Sequence, residues 1–167
     1  MNKSSELAKG GIFTALTLIL LYLTSIIPTS KIALLTLASA LIPFSIISLG
    51  YKSSILIYLS SSILAFLFVD KKIAFMYVSF LGVYGFIKNL AEKINNIYIE
   101  IILKVLFFNV FLIIFYYLYK ILFLGYGDLN ISKPLIIILS EIIFLIYDYG
   151  LTLIISFYIK KFKGKGM

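Results

Sequence analysis

The sequence predicts an all-α polytopic membrane protein: a bundle of about six transmembrane helices, both termini cytoplasmic, forming a single transmembrane domain over residues 1–167. Three observations predict it. Hydrophobic residues make up 62% of the chain and charged residues 13%, against about 45–50% and about 25% in soluble domains. The apolar residues gather into runs near the roughly 20 residues that a helix needs to cross a bilayer. The polar breaks between the runs are short, the longest covering 88–96, so no soluble domain is expected.

The first span is expected over 7–27 and is ended by Pro28. Its apolar run is longer than a signal-peptide core, and no small-x-small cleavage site follows at once. The second span, 32–50, and the third, 53–69, are separated only by Gly50-Tyr51-Lys52, which predicts a tight antiparallel hairpin. Asp70-Lys71-Lys72 closes the third span and opens the fourth, 73–87, in which Gly82 and Gly85 suggest a close helix crossing. The segment 88–96 has apolar residues at helical spacing between charges; it either lies on the cytoplasmic face or extends the fourth span. The fifth span covers 97–124 and the sixth 134–159. Pro134 suits the first turn of a helix, where no N–H is needed, and the basic tail Lys160, Lys161, Lys163 and Lys165 follows the sixth span.

Six spans put both termini on one side. With the termini in the cytoplasm, Lys3, Lys9, Lys52, Lys88, Lys93, Lys104 and the four tail lysines lie inside, while Lys31, Lys71, Lys72, Lys120 and Lys133 lie outside. This is the asymmetry that the positive-inside rule describes, although Lys71-Lys72 runs against it. The net charge of +8 does not indicate nucleic acid, because the lysines flank apolar runs. At those positions they set topology and meet anionic lipid headgroups. Several of the 13 tyrosines, including Tyr22, Tyr51, Tyr98 and Tyr119, sit near span ends as an interfacial belt.

Composition also narrows the chemistry. The chain has no Cys, no His and no Trp, and every basic residue is Lys. Disulfides, thiolate or imidazole metal sites, Cys nucleophiles and His relays are excluded, as are bidentate Arg clamps. No cofactor, no metal and no catalytic residue is expected.

Glu141 and Asp148 are seven residues apart in the sixth span, hence on one helix face, with Ser140, Tyr147 and Thr152 nearby. An ionised group near the bilayer centre costs about 2.5–3.5 kcal/mol even on the most lenient scale, so the pair is expected to face the protein interior. There it either lines a solute- or proton-binding cavity or forms structural ion pairs, with Lys104 as the partner of Asp148. The outer loop carries Gly125-Tyr126-Gly127-Asp128 followed by Asn130. The tetrapeptide resembles a potassium-channel filter, but Phe123-Leu124 stand where that family has Thr-Val, and no pore helix fits before it. It also resembles the Gly-x-Gly-Asp motif of intramembrane aspartyl proteases, with Tyr147-Asp148 as the second pair in reversed order. A glycine turn bearing an aspartate is the plain alternative.

The first span opens with Ala8, Gly10, Gly11, Thr14 and Ala15. Gly11 and Ala15 form a small-xxx-small pair of the kind that lets membrane helices approach closely, within this chain or against a partner. The run Leu7-Ala8-Lys9-Gly10-Gly11-Ile12-Phe13-Thr14-Ala15-Leu16, with Leu21-Tyr22, Pro28, the hairpin and six short spans, resembles the substrate-binding (S) components of energy-coupling factor transporters. That resemblance implies a membrane subunit that captures a vitamin or similar small molecule and works with a membrane coupling subunit and two ABC-type ATPases. It implies that Gly11 and Ala15 face the coupling subunit. It places the ligand pocket among the outer loops and later helices, where Asp128, Asn130, Glu141 and Asp148 stand. A non-catalytic scaffold of cell-envelope machinery, which needs interaction faces and no pocket, is the rival expectation. In either case the chain belongs in the cell membrane.

Overall fold

The computed structural model describes residues 3–94, 96–122 and 133–162. Among them every regular element is helical, and six helices are long and apolar enough to cross a membrane. They are α1 (Lys3–Ile26), α2 (Lys31–Leu49), α3 (Tyr51–Phe68), α4 (Lys71–Ile94), α5 (Ile97–Leu122) and α6 (Lys133–Phe162). The fourth runs on through the polar segment to Ile94, with a π-helical turn at Tyr77–Leu81 and a 3-10 turn at Glu92–Ile94. The chain divides into two units. One comprises residues up to Asn89 and from Gly150 onward; the other is Leu90–Tyr149.

The first unit is built on α1, α2 and α3, each packed on the other two. From α1 the stripe Thr17, Leu21 and Thr24 is buried. The two hydroxyls bond to carbonyls one turn back, Thr17 to Phe13 at 2.8 Å and Thr24 to Leu20 at 2.8 Å. This local satisfaction lets small polar side chains enter an apolar interface. The centre of α2 is buried from Ala38 to Ile46 except Phe44. Its small residues Ala38, Ser39, Ala40 and Ser45 let neighbouring backbones come close.

The α2–α3 connection is shorter than the sequence suggests. Gly50 alone links the helices: its N–H donates to Ile46 O at 3.0 Å, and its carbonyl accepts from Ser54 N at 3.2 Å. Its backbone angles, φ +83° and ψ 172°, fall in a region that is essentially restricted to glycine. One residue therefore ends one helix through its N–H and begins the next through its carbonyl.

Gly82 and Gly85 mark a close approach. A Cβ on Gly85 would stand 3.0 Å from Ile42 and Pro43 of α2, and one on Gly82 would stand 2.5 Å from the Tyr58 ring of α3. At the π-helical turn the Tyr58 hydroxyl donates to the Val78 carbonyl at 2.6 Å. A π turn widens the helix and disturbs the normal carbonyl pairing. The phenol supplies a donor there, as a bilayer interior requires. Tyr77, fully buried, shares a 2.9 Å hydrogen bond with Ser61. The C-terminal part of α6 contributes buried Leu151 and Ile155, and Tyr158 stacks on Phe44 with centroids 4.1 Å apart.

The second unit pairs α5 with the first half of α6. Phe108 and Phe144 stack nearly parallel at 4.3 Å between centroids. On either side of this stack lie polar pairs that together define the candidate site.

Candidate functional site: an ionic ladder between α5 and α6

Three residues of α6, Glu141, Phe144 and Asp148, share one face because they are three, four and seven apart. Their partners on α5 are Asn109, Phe108 and Lys104 in that order. The α6 number falls as the α5 number rises, so the two helices run antiparallel through this contact.

Lys104 is the centre of charge. It is 4% exposed. Its Nζ lies 2.5 Å from Glu100 Oε1, 3.0 Å from Asp148 Oδ2 and 3.5 Å from Glu92 Oε1. Glu100 is held by i,i+4 spacing on the same helix, a geometry that favours ion pairs. Asp148 comes from α6, and Glu92 from the 3-10 turn that precedes α5. A buried ammonium is costly unless paired and hydrogen-bonded; Glu100 and Asp148 accept hydrogen bonds from it, and Glu92 adds a third negative charge at 3.5 Å. One positive and three negative formal charges leave this cluster at −2.

Glu141 is held differently. Asn109 Nδ2 donates to its Oε1 at 3.0 Å and also to Val105 O at 3.0 Å. An amide that donates to a carboxylate makes a charge-assisted hydrogen bond without adding charge.

Glu141 and Asp148 do lie on one face, and each has a partner on α5. The pairing of Asp148 with Lys104 is present as an ion pair. Asp128 and Asn130 lie outside the described residues. Gly11 and Ala15 are exposed on α1, and no atom lies within 4 Å of where a Gly11 Cβ would be. Neighbouring Gly10 instead faces Ile57 of α3.

Three participants escaped sequence reading: Glu92, Glu100 and Asn109. The Glu100–Lys104 spacing was a usable signal, as was a lone Asn within the apolar run of the fifth span. Lys88, fully buried in the first unit, donates to Thr152 Oγ1 at 2.7 Å. It stands at the edge of the fourth span expected from sequence, where a lysine reads as a solvated flank. No three acidic side chains among the described residues are arranged to hold a metal ion. Comparison of the chain with protein-family models, with curated proteins and with solved structures gave no match.

Proposed function

We propose that the chain is a non-enzymatic, solute-binding subunit of an energy-coupling-factor-type uptake system, multi-pass in the cell membrane. It would take up a vitamin-like small molecule and work with a membrane coupling subunit and two ABC-type ATPases. The observation that carries this reading is the division of labour on α1. Thr17, Leu21 and Thr24 are buried against the protein, whereas Gly11 and Ala15 lie on exposed surface with open space beyond Gly11. Exposed small residues at four-residue spacing suit close approach by a partner's helix. Replacing Gly11 and Ala15 together with Leu is expected to reduce copurification of membrane and ATPase partners by at least about tenfold, because a leucine pair fills the space that a backbone must enter. Unchanged recovery of partners would overturn the reading.

The scaffold reading has its own support. Asp148 and Glu141 are engaged with Lys104 and Asn109, so the acids are already employed in holding α5 to α6. The Glu141→Gln/Asp148→Asn variant separates the two readings. If it folds and keeps its partners but loses solute binding, the subunit reading stands. If all functions survive, the scaffold reading is favoured.

A further inference from the structure

The connections α1–α2 and α3–α4 lie together, because Asp70 N donates to Ser25 Oγ at 3.4 Å. Three lysines begin the helices that follow these connections: Lys31 on α2, and Lys71 and Lys72 on α4. All three are exposed. The one carboxylate in these connections, Asp70, accepts from the backbone N–H of Lys72 at 2.9 Å. The formal balance of these four side chains is +2. In the topology expected from sequence this is the outer end, where the positive-inside rule disfavours lysine.

At the same end of α1 and α3 a groove of about 400 Å³ is lined by Leu18, Ile19, Tyr22, Leu23 and Phe68. It is apolar except for the Tyr22 hydroxyl. Tyr22 is one turn from the end of α1, the level at which tyrosine rings meet lipid headgroups. Phe68 is the last residue of α3, and the lysine pair begins three residues later. The groove is shallow and open along the membrane-facing surface, as suits a chain lying along the helices. Exposed lysines at the same end of the helices as an apolar groove, both at membrane-interface level, are complementary to one class of molecule: an anionic amphiphile, acyl chain in the groove and phosphate toward the lysines. A zwitterionic lipid would fill the groove without satisfying the lysines. A peptide helix would need acidic side chains at that end alone.

We infer that the α1–α3 groove with Lys31, Lys71 and Lys72 is a binding site for an anionic phospholipid. The site accounts for basic residues at a membrane face where topology does not call for them. The inference does not depend on a transport role.

The absence of Trp gives a silent background for the test. A Phe68→Trp reporter is reconstituted in phosphatidylcholine vesicles containing brominated phosphatidylglycerol or brominated phosphatidylcholine. The reporter is expected to be quenched at a several-fold lower mole fraction of the brominated anionic lipid. The three lysines together are expected to supply that preference, and it should fall in high salt. Replacing all three lysines with Gln should bring the two lipids to parity, while a Leu59→Trp reporter on the exposed middle of α3 should show parity throughout. Equal quenching of Phe68→Trp by both lipids, or a preference that survives loss of the lysines, would overturn the inference. Should Phe68→Trp fail to fold, native mass spectrometry of the unaltered chain from mixed nanodiscs decides. Phosphatidylglycerol adducts lost on lysine replacement support the site; no retained phosphatidylglycerol, or adducts unchanged by the replacement, refutes it.

Discussion

Lys104 of α5 and Asp148 of α6 meet at 3.0 Å across the second unit, with their side chains 5% and 16% exposed. Glu100 and Glu92 stand around the same ammonium. The relationship is asymmetric: the lysine answers to three carboxylates, whereas Asp148 is one of three competing for it. Removing the lysine therefore leaves three carboxylates facing one another, while removing Asp148 leaves the ammonium two partners.

Lys104→Met is accordingly expected to destabilise the protein by about 3–5 kcal/mol, the range for breaking a buried ion pair from one side. Asp148→Asn keeps a polar group in place and should cost about 1–2 kcal/mol. Thermal unfolding in detergent ranks the two. A larger loss for Asp148→Asn would contradict the asymmetry.

The glycines of α1 and α4 should respond in opposite directions. Gly82→Ala puts a Cβ 2.5 Å from the Tyr58 ring, and that ring is tethered through its hydroxyl to Val78 O. A clash that cannot relax freely costs about 1–3 kcal/mol. Gly11→Ala meets nothing within 4 Å and removes a glycine from a helix interior, which favours the folded state by up to about 1 kcal/mol. Melting temperatures of the two variants check the contrast in sign.

Tyr58→Phe removes the donor to the Val78 carbonyl at the π turn. Loss of this part-buried hydrogen bond is expected to cost about 1 kcal/mol. Amide exchange around 77–82 is expected to accelerate in this variant, whereas exchange in α5 should be unchanged.

Asn109→Leu strips the amide from Glu141 and leaves that carboxylate beside the Phe108–Phe144 stack. Glu141→Gln keeps a hydrogen-bonding group and removes the charge. The first should lower stability by about 1–3 kcal/mol, because a part-buried carboxylate loses its donor. The second should cost less than the first, and the double variant should cost less than the sum. A double-mutant cycle measures this coupling.

The number of helices was legible, and the pairing of Lys104 with Asp148 was legible as one of two alternatives, because hydrophobic run length and depth along a helix are properties of one dimension. Two oppositely charged residues at similar depth in adjacent spans have a strong reason to meet. The partner of Glu141 was less legible, since Asn109 carries no charge to signal complementarity. Glu92 was obscured by position. It sits in a polar stretch that reads as either a surface helix or a continuation of the fourth span. The π turn at Tyr77–Leu81 left no mark in composition, because it is defined by backbone pairing and by a phenol arriving from another helix. Lys88 was misplaced for a related reason: a lysine at the margin of an apolar run looks like a solvated flank until the helix is seen to continue past it for six more residues.

The single-residue joint at Gly50 has a kinetic consequence. Chain entropy lost on closing a loop grows with the loop's length, and here the loop has nearly vanished. Two adjacent spans that share one linking residue are thus the pair whose meeting costs the chain least. Contacts of low sequence separation generally form early, so α2 and α3 are expected to associate as a unit before α1 and α4 complete the interface around them. In that order of events Gly50 determines the direction in which the nascent chain doubles back. A side chain there would strain the joint in the finished protein and, on this order of events, would also slow the step at which the hairpin forms.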